Sequence, residues 1–209
     1  MEIEKIVNVV KHRTPSILGR GDFKRFSILL PLIKKDNEVH VLFEVRSNEL
    51  RRQPGEICFP GGKMDPTDKN EEHTAVRETM EELGLKESHI TDVSPLDYFV
   101  SPFGTIIYPF VGVITNPDQI RPNPSEVGEV FTVPLSFFLS NPPQIFKVNF
   151  HVEPEENFPY NDIVGGENYN WQVRGMDECF YYYKDRVIWG LTAGILKHFI
   201  EVIDSSPAN

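Results

Sequence analysis

Cysteine is nearly absent, with only Cys58 and Cys179 among 209 residues. Two are too few for the disulfide framework of a small secreted domain, and they lack the C-x-x-C spacing of a zinc or redox site. Both are read as reduced thiols. Positive charge is also scarce: 21 Lys and Arg face 31 Asp and Glu, a formal charge of −10. Nonspecific nucleic-acid binding depends on neutralising phosphates with cations, so this balance argues against a nucleic-acid partner. Long apolar runs are missing as well. None approaches the roughly 18 residues that cross a bilayer, and the opening MEIEKIVNVVKHR lacks the apolar stretch and cleavage site of a signal peptide. The expectation is a cytoplasmic protein with no membrane partner.

What is present is ordinary globular material, 40% apolar and 25% charged. The length favours one domain spanning 1–209, with long loops, over two. EKIVNVVKHR has apolar residues at helical spacing and predicts an N-terminal helix that stops at Thr14-Pro15. RFSILLPLIKK and EVHVLFEVRS, separated by KDNE, predict a hairpin. EEHTAVRETMEELGL predicts a helix closing at Gly84, with Val76, Thr79, Met80 and Leu83 facing the core. PLDYFVS, IIYPFVGVIT, EVFTVPLSFF and CFYYYK read as strands, NPDQIRPNPSEVG as a loop, and RVIWGLTAGILKHFIEVI as a final helix. This order predicts an α/β fold with a mixed sheet between helices.

The helix at 71–85 carries an unusual charge pattern. Glu78, Glu81 and Glu82 fall within an arc of roughly 100° opposite the apolar side, so all three can converge on one point. Like charges so spaced repel. A solvated acidic face, or pairing of Arg77 with Glu81 at i,i+4, would relieve the repulsion; so would a hard divalent cation, which selects carboxylate, carbonyl and water oxygens. The glycine-rich loop just before the helix exposes backbone carbonyls and favours the cation. Upstream, Arg46, Arg51, Arg52 and Lys63 gather positive charge in an otherwise acidic chain, suited to an anionic ligand or to a solvated surface loop.

These residues resemble the Nudix hydrolase signature, G-x5-E-x7-R-E-U-x-E-E-x-G-U, where U is aliphatic. Arg77, Glu78, Glu81, Glu82, Gly84 and Leu85 match its second half. The first half departs: Asp68 stands for the acidic residue, eight residues instead of seven separate it from Arg77, and Thr79 takes an aliphatic position. The segment 42–62 is similar to the added signature of the coenzyme A diphosphatase branch, L-L-T-x-R-S-x3-R-x3-G-x3-F-P-G-G. Leu42, Arg46, Ser47, Arg51, Gly55, Phe59, Pro60, Gly61 and Gly62 match, whereas Phe43 and Glu44 do not. The motif core spans 42–85.

The resemblance implies an α/β/α sandwich and metal-dependent hydrolysis of a diphosphate, with Mg²⁺ or Mn²⁺ as cofactor. It implies coenzyme A, and acyl-coenzyme A with it, as the small-molecule substrate, cleaved to 3',5'-ADP and 4'-phosphopantetheine; the alternatives are a diphosphatase for ADP-ribose or another nucleoside diphosphate derivative, and a non-catalytic ligand-binding Nudix domain. Glu78 and Glu82 are then metal ligands, Glu81 a further ligand or the group orienting water, and the Gly62 carbonyl an additional ligand. Arg77 braces Glu81. Arg46, Arg51, Arg52, Gly61 and Lys63 lie where the substrate phosphates would bind. Asp65 and Asp68 are expected to shape the loop and cap the helix. Glu126, Glu129 and Glu167 are the candidates for general base by loop position. A homodimer is expected from family habit and the frequency of two-fold oligomers.

Overall fold

The computed structural model describes residues 2–172 and 174–205. The predicted N-terminal helix forms as α1 (Ile3–Lys11), none of whose residues is buried. Next comes the predicted hairpin, β1 (Lys24–Lys35) and β2 (Glu38–Arg46), antiparallel with Lys35 opposite Glu38. Asp36 and Asn37 both take positive φ, 50° and 62°, the two-residue turn whose twist matches a right-handed pair of strands. Two short strands follow, β3 (Ile57–Cys58) on β2 and β4 (Gly61–Lys63) on the first half of β1.

The helix expected at 71–85 is α2 (Glu71–Leu83). Beyond it lie β5 (Ile90–Pro95), β6 (Phe99–Ser101), β7 (Thr105–Ile114) and β8 (Val127–Pro134). β7 runs parallel to β1 while β2, β4, β5, β6 and β8 make antiparallel pairs, so the sheet is mixed as expected. Its path is β3-β2-β1-β7-β5, with β8 beside β2. The chain closes with α3 (Leu135–Ser140), β9 (Gln144–Phe150), β10 (Arg174–Tyr183), β11 (Arg186–Trp189) and α4 (Gly190–Asp204).

Three expected boundaries differ. The strand predicted over EVFTVPLSFF stops at Pro134 and continues as α3, because proline offers no N–H to the ladder. The final helix begins four residues late: Val187 and Ile188 pair with Tyr182 and Tyr181 of β10, and Gly190, at φ 62°, turns the chain into α4. The stretch at 95–101 divides between the end of β5 and β6.

Period-two alternation divides the core. Leu30, Val41 and Phe43 point to one face, where α3, α4, β10 and β11 supply Phe138, Leu196, Phe199, Tyr181 and Ile188. Leu29, Ile33 and Leu42 point to the other, where α2 supplies Ala75 and Leu83. Helices therefore cover both faces. Among the described residues no helix is long and apolar enough to cross a membrane. Glu44 follows Leu42 at the same spacing and so lies on the α2 face, a charge placed where the strand pattern would put an apolar residue.

Candidate active site

Both ends of α2 are fixed. Asn70 caps the start, its Oδ1 accepting from the backbone N–H of His73 at 2.8 Å. Gly84 ends the helix at φ 64°, and a Cβ there would lie 2.2 Å from the carbonyl oxygen of Arg121. Arg121 N donates to Leu83 O and Asn123 N to Glu82 O, each 2.8 Å, so the loop at 116–126 satisfies the last helical carbonyls. Ser47 N donates to Glu126 O at 2.8 Å, tying that loop to the end of β2. Glu126 is thereby held beside the helix terminus.

The buried arc of α2 holds Thr74, Ala75, Thr79, Glu82 and Leu83, with Val76 and Met80 only partly covered. It is rotated from the expected apolar side toward the glutamates, and Glu82 goes in with it, 6% exposed. Glu82 Oε2 accepts from Gly61 N at 2.8 Å, which offsets part of the cost. Glu78 lies against Gly62. Arg77 Nη2 is 2.9 Å from Glu78 Oε1, and Nη1 donates to Glu81 Oε2 at 3.2 Å, leaving Glu81 with its side chain 55% exposed. Arg77 thus bridges Glu78 and Glu81, while Glu82 turns inward to Gly61. Among the described residues no three acidic, histidine or cysteine groups stand at metal-ligand spacing around one point.

Arg77 is braced mainly by Asp68, not by Glu81. Its Nε and Nη2 donate to Asp68 Oδ1 and Oδ2, both 2.9 Å. Asp68 also accepts from Thr74 Oγ1 at 2.8 Å and from Asp65 N at 2.9 Å, and contacts His73 Nδ1 at 2.9 Å. These bonds, Arg77 first, hold its carboxyl well below the usual range. Asp68 therefore shapes the loop as expected, while the cap itself is Asn70.

In the sequence Glu44 stands out only as a mismatch to the diphosphatase signature. Its position was visible in the alternation of VLFEVRS. It is 1% exposed; Oε1 accepts from Cys58 Sγ at 3.4 Å, and Oε2 is buried with no hydrogen-bond partner among the described residues. Burial raises its pKa to about 7, with the charge of Glu126 adding to the shift and the Cys58 bond and Arg46 opposing it. Burial likewise raises Glu82 to about 9; Glu44, Glu78 and Glu126 push it further up, and the Gly61 N–H pulls it down. Glu78 moves up for the same first reason. Burial, with neighbouring acidic charge, therefore disfavours the ionised forms of Glu44, Glu78 and Glu82.

By the chemistry of its donors, though not by their spacing, that set suits a hard divalent cation. Its members are all oxygens, one is an orphaned buried oxygen, and Glu78 sits in a cradle that a side chain at Gly62 would fill. The remaining predicted residues surround it. Arg46 lies half-buried at the end of β2; among the described residues its Nε is enclosed without a hydrogen-bond partner, and its Nη2 donates to Arg52 O at 3.5 Å. Arg51 and Arg52 are exposed, as is Lys63 at the end of β4. Of the base candidates, Glu129 is occupied by Arg186 at 2.9 and 2.7 Å, and Glu167 is exposed on the loop after β9. Only Glu126 acts on the buried carboxylates. An open cleft of about 550 Å³ lies nearby on the α2 face, lined by Ile33, Leu42, Val130 and the loop at 117–122. It contains none of the motif's charged residues, so the chemistry is assigned to the carboxylates.

The family model for the NUDIX domain matches residues 24–153. The chain belongs to the Nudix family. It is 39% identical over 157 residues to "Peroxisomal coenzyme A diphosphatase NUDT7" of Mus musculus, covering 73% of this chain and 65% of that protein, so it spans just under two thirds of that relative's length. It is 31% identical over 182 residues to "Mitochondrial coenzyme A diphosphatase NUDT8" of Homo sapiens, covering 85% of this chain and 68% of that protein. The crystal structure of a MutT/nudix family protein from Enterococcus faecalis superposes with a TM-score of 0.52 at 15% identity, over 98% of this chain and 70% of that one, and shows the Nudix fold.

Proposed function

We propose that this Nudix protein hydrolyses the diphosphate of coenzyme A, releasing 3',5'-ADP and 4'-phosphopantetheine, with Mg²⁺ or Mn²⁺ as cofactor. The observation that carries this reading is the state of Arg46. Its guanidinium stands beside the carboxylate cluster with no carboxylate at ion-pair distance among the described residues, so its charge remains for an anionic ligand. Arg46, Arg51 and Gly55 match the diphosphatase signature, and both relatives named above are called coenzyme A diphosphatases.

In this reading Glu78 and Glu82 hold the metal. A bound divalent ion supplies neutralising charge at the phosphates and lowers the pKa of water. Glu81 orients the water, Glu126 takes its proton, and Arg46 and Arg51 grip phosphate oxygens bidentately, as lysine cannot. Arg77, locked by Asp68, fixes the rotamers of Glu78 and Glu81. Phosphoryl transfer demands little beyond such positioning and charge.

The test is a panel of intact diphosphates with Mg²⁺ or Mn²⁺. Coenzyme A is expected to exceed ADP-ribose in kcat/KM by at least about tenfold, roughly 1.4 kcal/mol of discrimination. Glu82→Gln is expected to lower kcat by on the order of 10²–10⁴. Faster cleavage of ADP-ribose would replace the substrate and keep the chemistry. No cleavage of any member would leave a ligand-binding Nudix domain.

A further inference from the structure

Strands β9, β10 and β11 form a second sheet beside the main one, and its two faces have different surroundings. Cys179, Tyr181 and Ile188 point inward and are buried in the same core as Phe138 and Leu196. Period-two alternation sends their neighbours outward. Phe180 stands opposite Trp189 and Tyr182 opposite Val187, while Phe146 and Val148 of β9 stand opposite Glu178 and Met176. The outward rings touch across the strands: Phe180 meets Phe146 edge-on at 5.3 Å between centroids and stacks on Trp189 at 5.7 Å. Yet Phe146, Val148, Tyr182, Val187 and Trp189 are 41–49% exposed.

Single apolar residues on a surface are ordinary, but a contiguous aromatic face marks an interaction site. The cleft at its margin, between Phe137, Gln144, Phe180 and Tyr182, holds about 160 Å³. That is small against the roughly 300–1,000 Å³ of a ligand pocket. Charge narrows the choice of occupant. A chain of net charge −10 repels its own copies over most of its surface. The outward strand positions from Gln144 to Val148, Met176 to Tyr182 and Val187 to Trp189 hold one charged side chain, Glu178, so two copies can meet there with little repulsion. They hold no lysine or arginine for an anionic lipid surface.

Area points the same way. Three half-uncovered rings of about 150–250 Å² each, with the two valines beside them, expose on the order of 400 Å². The apolar share of a homodimer interface is about 65% of roughly 800 Å² per partner. The face therefore supplies most of the apolar area that a stable pair buries.

We propose that this outward face is the interface of a two-fold dimer of this chain, in which the two three-stranded sheets stack with Phe146, Tyr182 and Trp189 of each copy packed against the other. An isologous contact sets one patch on itself, and stacked sheets interdigitate their side chains about 10 Å apart. The assignment holds whatever the substrate. Helix α2 covers the opposite face of the main sheet, so the carboxylates stay open in the dimer.

The experiment is sedimentation equilibrium of the full chain across the micromolar range, with melting as the check on folding. Tyr182→Glu and Val187→Glu place charge on the face; Leu18→Glu, at a position 98% exposed, places it elsewhere. The unaltered chain is expected to sediment at twice the chain mass, with a dimer Kd below about 10 μM. Each face variant is expected to melt cooperatively and to raise that Kd at least about tenfold, while Leu18→Glu leaves it unchanged and turnover per chain is the same in all. An unaltered chain that stays monomeric overturns the proposal and leaves the face to a different partner. So does a dimer whose Kd stays within twofold of wild type in either folded face variant, since the interface then lies elsewhere. Weakening by Leu18→Glu as large as that by the face variants also overturns it, because added charge anywhere would then suffice.

Discussion

Adding one carbon at Gly62 would set a Cβ 2.3 Å from the carboxyl carbon of Glu78, whereas the same addition at Gly61 would meet the backbone oxygen of Ser27 at 2.4 Å. The two neighbours give way differently. Glu78 ends a flexible side chain and can swing aside at little cost; Ser27 lies within β1, which pairs with β4 through Ser27 and Gly62. Gly62→Ala is therefore expected to fold with a loss below about 1 kcal/mol yet displace a proposed metal ligand, weakening Mg²⁺ activation at least tenfold. Gly61→Ala is expected to destabilise the chain by about 1–3 kcal/mol, the range for forcing extra volume into a packed site. Urea denaturation and Mg²⁺ titration of activity separate the pair. Equal stability losses would mean that the Glu78 carboxyl is as immovable as the strand.

Helix α2 depends on its neighbours more than on its own sequence. Asp68 fastens its first two turns to the loop through Thr74 and Arg77, and the carboxyl is fully enclosed. Asp68→Asn keeps the shape and removes the charge. It is expected to cost about 1.5–3 kcal/mol, the worth of a hydrogen bond to a charged group, and to free Arg77 to hold Glu78 and Glu81 more tightly. Apparent affinity for Mg²⁺ should fall with it; unchanged affinity in a destabilised variant would remove Arg77 from control of the site. This pairing also explains how a box with an extra residue before Arg77 keeps its geometry, since Asp68 still reaches the guanidinium with both oxygens. The helix, the hairpin and most sheet strands were legible because each carries a strong local period and a turn or cap. β9 and β11 were not: β9 pairs with β10 across a long connection, which local pattern cannot report, and β11, joined to β10 by a two-residue turn, runs on into the apolar stretch of α4 and so reads as its first turn. The glutamate motif was legible as residues but not as geometry. Burial of Glu82 depends on the Gly61 N–H, 21 residues away, and the isolation of Glu44 depends on α2 and the loop at 116–126 together.

Across the whole molecule the formal charge is −10, and its buried carboxyl groups gather on one face of the sheet, where Glu44 and Glu82 sit with pKa values near 7 and 9. Both stand above the value of about 4.5 that the same groups take in an unfolded chain. Between pH 4.5 and 9 the folded protein therefore retains protons that the unfolded chain releases, so its stability declines as pH rises through that window. Asp68 works in the opposite sense, but its contribution is lost only as pH falls below the ordinary aspartate range, near 3.8, outside the window. Metal-free protein is accordingly expected to melt at least about 5 °C lower at pH 8.5 than at pH 5.5, roughly 2 kcal/mol for a chain of this length. Divalent cations bind the ionised carboxylates, so saturating Mg²⁺ or Mn²⁺ should raise the melting temperature more at pH 8.5 than at pH 5.5 and flatten the slope. Glu44→Gln should flatten it without metal, because an amide has no proton to lose. Calorimetry in chelator over this range decides the matter. A melting temperature that holds level or rises from pH 5.5 to 8.5 would mean that Glu44 and Glu82 are solvated in the folded state and that the buried carboxylate cluster does not exist in solution.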